Sequence, residues 1–170
     1  MLGRLKELTE INGVSGDEGQ VRRYIKNIVS QYADEVWTDA MGNLYAHKKG
    51  AKRRIMACAH MDEVGMMVRG IRDDGLIAYS AAGIDPRVVP SKRVVVGKDK
   101  VPGVIGSKAI HLQSRDEFGK AYKHKELYID IGAKDKADAQ KYVKLGDYIS
   151  FVTEFSEFGD GLIKAKALDD

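Results

Sequence analysis

The chain has 170 residues, 44% of them hydrophobic and 31% charged, with only three prolines. That composition is too apolar for a disordered chain, and the length suits one ordinary domain or two small ones. Its net charge of +3 comes from 28 basic residues scattered among 25 acidic ones, so the basic face of a nucleic-acid binder is not expected.

The N-terminus carries charges where a signal peptide needs an apolar run, and a single cysteine cannot form an internal disulfide. A reducing, cytoplasmic location is the expectation. No apolar run approaches the roughly 18 to 20 residues that span a bilayer, so no membrane partner is expected either. Leu2, Leu5 and Leu8 repeat at helical spacing and run into the turn-forming "NGVSG", which predicts a short first helix. Ser15 and Glu18 stand in the spacing of a capping box, with Asp17 placed to favour a positive helix end. The apolar stripe of Val21, Tyr24, Ile25, Ile28, Val29 and Tyr32 then predicts a helix over about residues 17 to 33.

Two strand-like runs, "EVWTD" and "NLYAHKK", flank Met41-Gly42 and predict a hairpin. Ile55 to Ala59 shows no polar alternation, which predicts a strand covered on both faces, with His60 and Asp62 at its carboxyl end, where open α/β sheets place ligands. From Val64 onward, short β-rich runs are broken by Gly, Asp and Pro, as in a small barrel or sandwich. One helical stretch, "KDKADAQKYVK", interrupts them, and "QSRDEFGKAYKHK" reads as an exposed flap. The final run "LIKAKALDD" reads as one more strand ending in acids. The predicted fold class is α/β: residues 1–64 and 162–170 form part of an α/β domain, interrupted by a β-rich insertion over 65–161.

Residues two apart on an extended segment point the same way, so His60 and Asp62 can share a site. An imidazole is a common zinc ligand, and a ligating histidine usually gives its other ring N–H to a carboxylate or carbonyl. A strand-end histidine is also a frequent structural hydrogen-bonder, and Asp169 with Asp170 reads on composition alone as a solvated chain end. Equally, a carboxylate placed like Asp169 can bridge two cations about 3.5–4 Å apart. Cys58 reads as core packing. Glu63 should point away from the His60 side, toward a helix start or loop. His47, His111 and His124 read as surface or packing residues, and Trp37 as strand packing. No phosphate-binding loop or serine-hydrolase elbow is present.

The ordered set "GVSGDE", "DAMGNLYAHKKG", "CAHMDEVG", "GVIGSKAIHLQ", "LYIDIGAKDKADAQKYVKLGDYISF" and "KALDD" resembles the M42 family of metallo-aminopeptidases. These are the glutamyl, leucyl and deblocking enzymes that include the tetrahedral TET assemblies, and the resemblance runs along essentially the whole chain. It implies a peptidase-type α/β catalytic domain interrupted by a smaller β domain used in homo-oligomerisation. It also implies two divalent metal ions, zinc or cobalt, and peptide substrates that lose their N-terminal residues.

Carried over by position, the resemblance makes His60 a metal ligand, Asp62 the catalytic carboxylate supporting it, and Asp169 the bridging ligand. The family pattern continues past "LDD" with an arginine and a further α/β half. That half carries a Glu-Glu pair, whose first member is the general base, and later an acid and a histidine. The chain would then hold two of five metal ligands and no base, and the expectation is an N-terminal part inactive on its own. Two other functions fit the same residues: a related metallo-hydrolase acting as deacylase or carboxypeptidase, and a non-catalytic assembly or peptide-binding module.

Overall fold

The computed structural model describes residues 1–51, 53–116 and 118–169. Two compact units emerge: Met1–Glu63 together with the stretch from Glu154 onward, and Val64–Thr153.

The first unit opens with helix α1 (Leu2–Glu10), where the leucine spacing predicts it, and helix α2 (Gly19–Val29). Helix α2 starts two residues later than expected and ends earlier. Its N-cap is Glu18 with no side-chain cap, so the Ser15–Glu18 capping box does not form. The Ser15 hydroxyl is drawn elsewhere. Thr9, Val14 and Val21 are buried in this unit, and Thr9 satisfies its hydroxyl by donating to the Leu5 carbonyl at 2.9 Å, one turn back.

Strands β1 (Glu35–Thr38) and β2 (Leu44–His47) pair antiparallel as the predicted hairpin. Trp37 stacks on its cross-strand partner Tyr45 with ring centroids 5.0 Å apart. Such aromatic pairs stabilise a hairpin.

Ile55 to Ala59 departs from expectation. The run belongs to no strand among the described residues and lies exposed, Ile55 at 92% and Met56 at 86%. Cys58, read as core, is exposed as well. Apolar texture marks a segment that needs covering, but a strand exists only where a neighbour pairs with it, and the β1–β2 sheet has two strands only.

The second unit is a closed antiparallel barrel. Its strands are β3 (Met66–Ile71), β4 (Ile77–Ala81), β5 (Arg93–Val96), β6 (Val101–Gly106), β7 (Tyr128–Asp130) and β8 (Tyr148–Phe151). They run in the order β3-β4-β7-β6-β5-β8, and β8 closes on β3 through Met66 opposite Ile149. Alternation decides which side chains point in: Met66 and Val68 are buried while Met67 is exposed, and Val94 and Val96 are buried across the strand from Arg93. Ile77, Ile105, Ile129 and Ile149 complete the centre.

Helix α3 (Lys136–Ala139) is a single turn capped by Asp135, whose carboxylate accepts from the Asp138 N–H. The flap is tied down more than its polarity suggests. The Tyr122 hydroxyl donates to the Lys108 carbonyl at 3.0 Å, and His124 bridges the Tyr79 hydroxyl and the Ile84 carbonyl.

The chain leaves the barrel at Thr153, earlier than the expected return at residue 162. Strands β9 (Ser156–Phe158) and β10 (Leu162–Lys164) pair with each other, and the Phe155 N–H donates to Glu10 in the first unit at 3.4 Å. Strand spacing does not reveal which sheet a short run will join. The pairing partner does.

Candidate functional site

His60 and Asp62 lie in the irregular stretch after Ile55–Ala59, not at the end of a strand, yet they meet. His60 Nδ1 sits 3.1 Å from Asp62 Oδ1 and 3.0 Å from the Asp62 backbone carbonyl. Both partners are acceptors, so Nδ1 carries a proton, the arrangement of a metal-ligating histidine with a carboxylate behind it.

Asp62 is itself held. The Ser15 hydroxyl donates to its other oxygen, which is where the expected helix cap has gone. That bond is the largest cause keeping the Asp62 carboxyl below its ordinary 3.8; the His60 ring adds to it and partial burial opposes it. Asp62 is therefore ionised at neutral pH. Beside it, Gly16 takes φ 92°, a left-handed turn that glycine adopts at little cost.

The next residue, Glu63, turns into the unit as expected and anchors a loop. Its backbone N–H donates to the Gly13 carbonyl at 2.8 Å, and its carboxylate accepts from the Gly13 N–H at 3.2 Å. Gly13 is needed at this crossing, since a Cβ there would overlap the Val21 side chain. Glu63 also pairs with Lys166, whose ammonium further donates to the Ile11 carbonyl at 2.9 Å and to Asn12 Oδ1 at 3.2 Å.

Asp169 lies three residues beyond Lys166, exposed and past the end of β10, so the predicted strand stops short of it. Asp170, the other acid of the predicted cluster, lies outside the described residues. Ser15 and Lys166 are the residues that sequence reasoning passed over. The run "LIKAKALDD" carries two lysines, Lys164 and Lys166, and nothing local in it singles out Lys166.

An imidazole and aspartates suit zinc or cobalt, so the chemistry of the donor set fits a divalent ion. The number of donors falls short. Among the described residues, no three His, Cys, Asp or Glu side chains group closely enough to hold a metal ion.

Comparison with known proteins gives these residues a context. The family model described as M42 glutamyl aminopeptidase matches residues 42–170, and a short match to a model named AMPT covers 5–23. An Acetivibrio thermocellus protein named as a candidate aminopeptidase is 39% identical over 170 residues, covering 100% of this chain and 50% of its own. The crystal structure of a TET aminopeptidase from a marine sediment thaumarchaeote superimposes with a TM-score of 0.89 at 35% identity, covering 94% of this chain and 47% of the other.

Pyrococcus horikoshii TET1 peptidase, which can assemble into a tetrahedron or a large octahedral shell, matches with a TM-score of 0.80 at 35% identity, over 91% of this chain and 47% of its own. The chain thus spans about half the length of the relatives it matches. Motif order, family model and three-dimensional likeness agree: the chain belongs to the M42 family of peptidases.

Proposed function

We propose that this chain is the part of a dinuclear metal-dependent aminopeptidase that supplies His60 and Asp169 as metal ligands and Asp62 as the carboxylate behind the histidine. The observation that carries the reading is the His60 Nδ1 contact with Asp62, which fixes the imidazole tautomer in a chain matched to M42 peptidases. When bound, the metal pair supplies Lewis acidity toward a scissile carbonyl and a water.

The work of this chain is orientation. Ser15 holds the Asp62 carboxylate and Asp62 holds the Nδ1 proton, so that Nε2 would be the ring atom offered to a metal. The general base and remaining ligands belong to the part of the family pattern that follows "KALDD". The 170-residue chain alone accordingly turns over no peptide. Joined to a further α/β half such as the family pattern carries, Ile55 to Ala59 would gain neighbours to pair with as a covered strand. The substrates are peptides, cleaved at their N-termini in the cytoplasm, and the barrel joins copies into a homo-oligomer of the kind its TET1 relative forms.

The test uses a full-length version, with metal content measured beside peptidase activity. His60→Ala and Asp169→Ala each abolish turnover and lower the metal content. Asp62→Asn retains most of the metal and loses turnover, because an amide does not support the imidazole as a carboxylate does. Normal turnover with both metals in His60→Ala would refute the assignment.

A further inference from the structure

Lys166 has three N–H donors and meets three acceptors: the Ile11 carbonyl, Asn12 Oδ1 and the Glu63 carboxylate. The pair is nearly removed from water, with the Lys166 side chain 10% exposed and that of Glu63 7%. A surface lysine holds its partner loosely and exchanges it for water. A nearly buried ammonium with each donor engaged has one favourable position, since any displacement leaves a charge without solvation.

Three stretches distant in sequence meet at this point: residues 11–14, the Asp62–Glu63 stretch, and the chain after β10. Each of the two proposed carboxylates hangs from it. Asp62 precedes Glu63 directly and is held from the other side by Ser15, which follows Val14. Asp169 lies three residues past Lys166, and Ala167 between them takes φ 50°, a left-handed conformation that costs a residue with a side chain. Such a conformation persists where its surroundings over-determine it, and the clamped Lys166 is its immediate neighbour.

We infer that Lys166 is a positioning residue: through Glu63 and the 11–12 loop it fixes the segment that carries Asp169 against the segment that carries His60 and Asp62, so that the two proposed ligands, His60 and Asp169, are held for one metal centre. The inference rests on the dinuclear reading given above. It assigns Lys166 no contact with substrate or metal.

The test is made on the full-length protein with cobalt as probe, reading the visible absorption band during titration and the unfolding midpoint of the metal-free protein. The paired change Lys166→Met with Glu63→Gln removes both charges together and keeps an acceptor for the Gly13 N–H, so no lone charge is left behind. The expected result is a metal-free midpoint close to that of the unmodified protein, with cobalt affinity reduced about 10–100-fold and an altered band, the range in which supporting residues around metal sites act. A merely structural pair would leave affinity and band unchanged in the folded double variant, and that result would overturn the inference.

Should the double variant fail to fold, Asn12→Ala decides, because it removes one of the three acceptors and no charge. A several-fold weaker cobalt affinity supports the inference, and an unchanged one overturns it. Failure of the unmodified protein to bind cobalt in a His60-dependent manner would sink the dinuclear reading and this inference with it. A change confined to the Lys166 variants concerns the inference alone.

Discussion

Asp85 and Ser15 are both short polar residues in turns, and they show how differently local and distant partners are read from sequence. Asp85 accepts from the Arg87 backbone N–H at 2.9 Å and from its guanidinium Nε at 2.9–3.0 Å, a turn closed within three residues. The Arg87 side chain is the main cause lowering the Asp85 carboxyl from 3.8 to about 2. A depressed folded value means that the turn's contribution is fully present above 3.8 and is lost as pH falls through about 2. Carboxyl carbon NMR should place the Asp85 midpoint near 2, and in Arg87→Ala it should return toward 3.8.

Ser15 has the opposite character, since its partner Asp62 lies 47 residues away. Its spacing to Glu18 made a local cap the economical reading, and only the fold brings the distant carboxylate within reach. His60 with Asp62 was legible because the two are close in sequence. Lys166 was not, because its three acceptors are contributed by stretches more than a hundred residues distant.

Among the elements, the barrel strands were legible from short β-rich runs broken by Gly, Asp and Pro, while which side chains face inward, as along Arg93–Val96, shows only in the alternating burial. Ile55 to Ala59 is not a strand here because a run without alternation describes an environment, and no strand pairs with it among the described residues. The flap was half legible. Its polarity was plain, but its anchorage depends on His124, whose Nε2–H donates to the Ile84 carbonyl at 2.8 Å while Nδ1 accepts from the Tyr79 hydroxyl at 3.1 Å.

Tyr79 is a buried core residue, and burial also raises its hydroxyl pKa. Removing its acceptor with His124→Ala leaves a buried hydroxyl unsatisfied, a loss of about 1–3 kcal/mol. Adding Tyr79→Phe removes the orphaned hydroxyl, so the double variant should be less destabilised than the two single changes summed. Urea unfolding of all four proteins checks this, and simple additivity would show that the contact carries no coupling.

At the scale of the molecule, the two units differ in how they are held. The main apolar cluster, from Met66 to Ile149, lies wholly within Val64–Thr153. That unit expressed alone should fold, with a sheet signal in far-UV circular dichroism and a cooperative unfolding transition. A chain without sheet signal would refute this. Among the described residues, the first unit has fewer buried apolar side chains and leaves Ile55 and Met56 in water.

Each barrel strand has two neighbours, because β8 closes on β3. An open sheet can accept a visiting strand along its margin and lengthen by one, but a ring presents no margin to a visitor. What meets this unit therefore meets mainly its outward side chains and loops. Those side chains can change without disturbing the register beneath them.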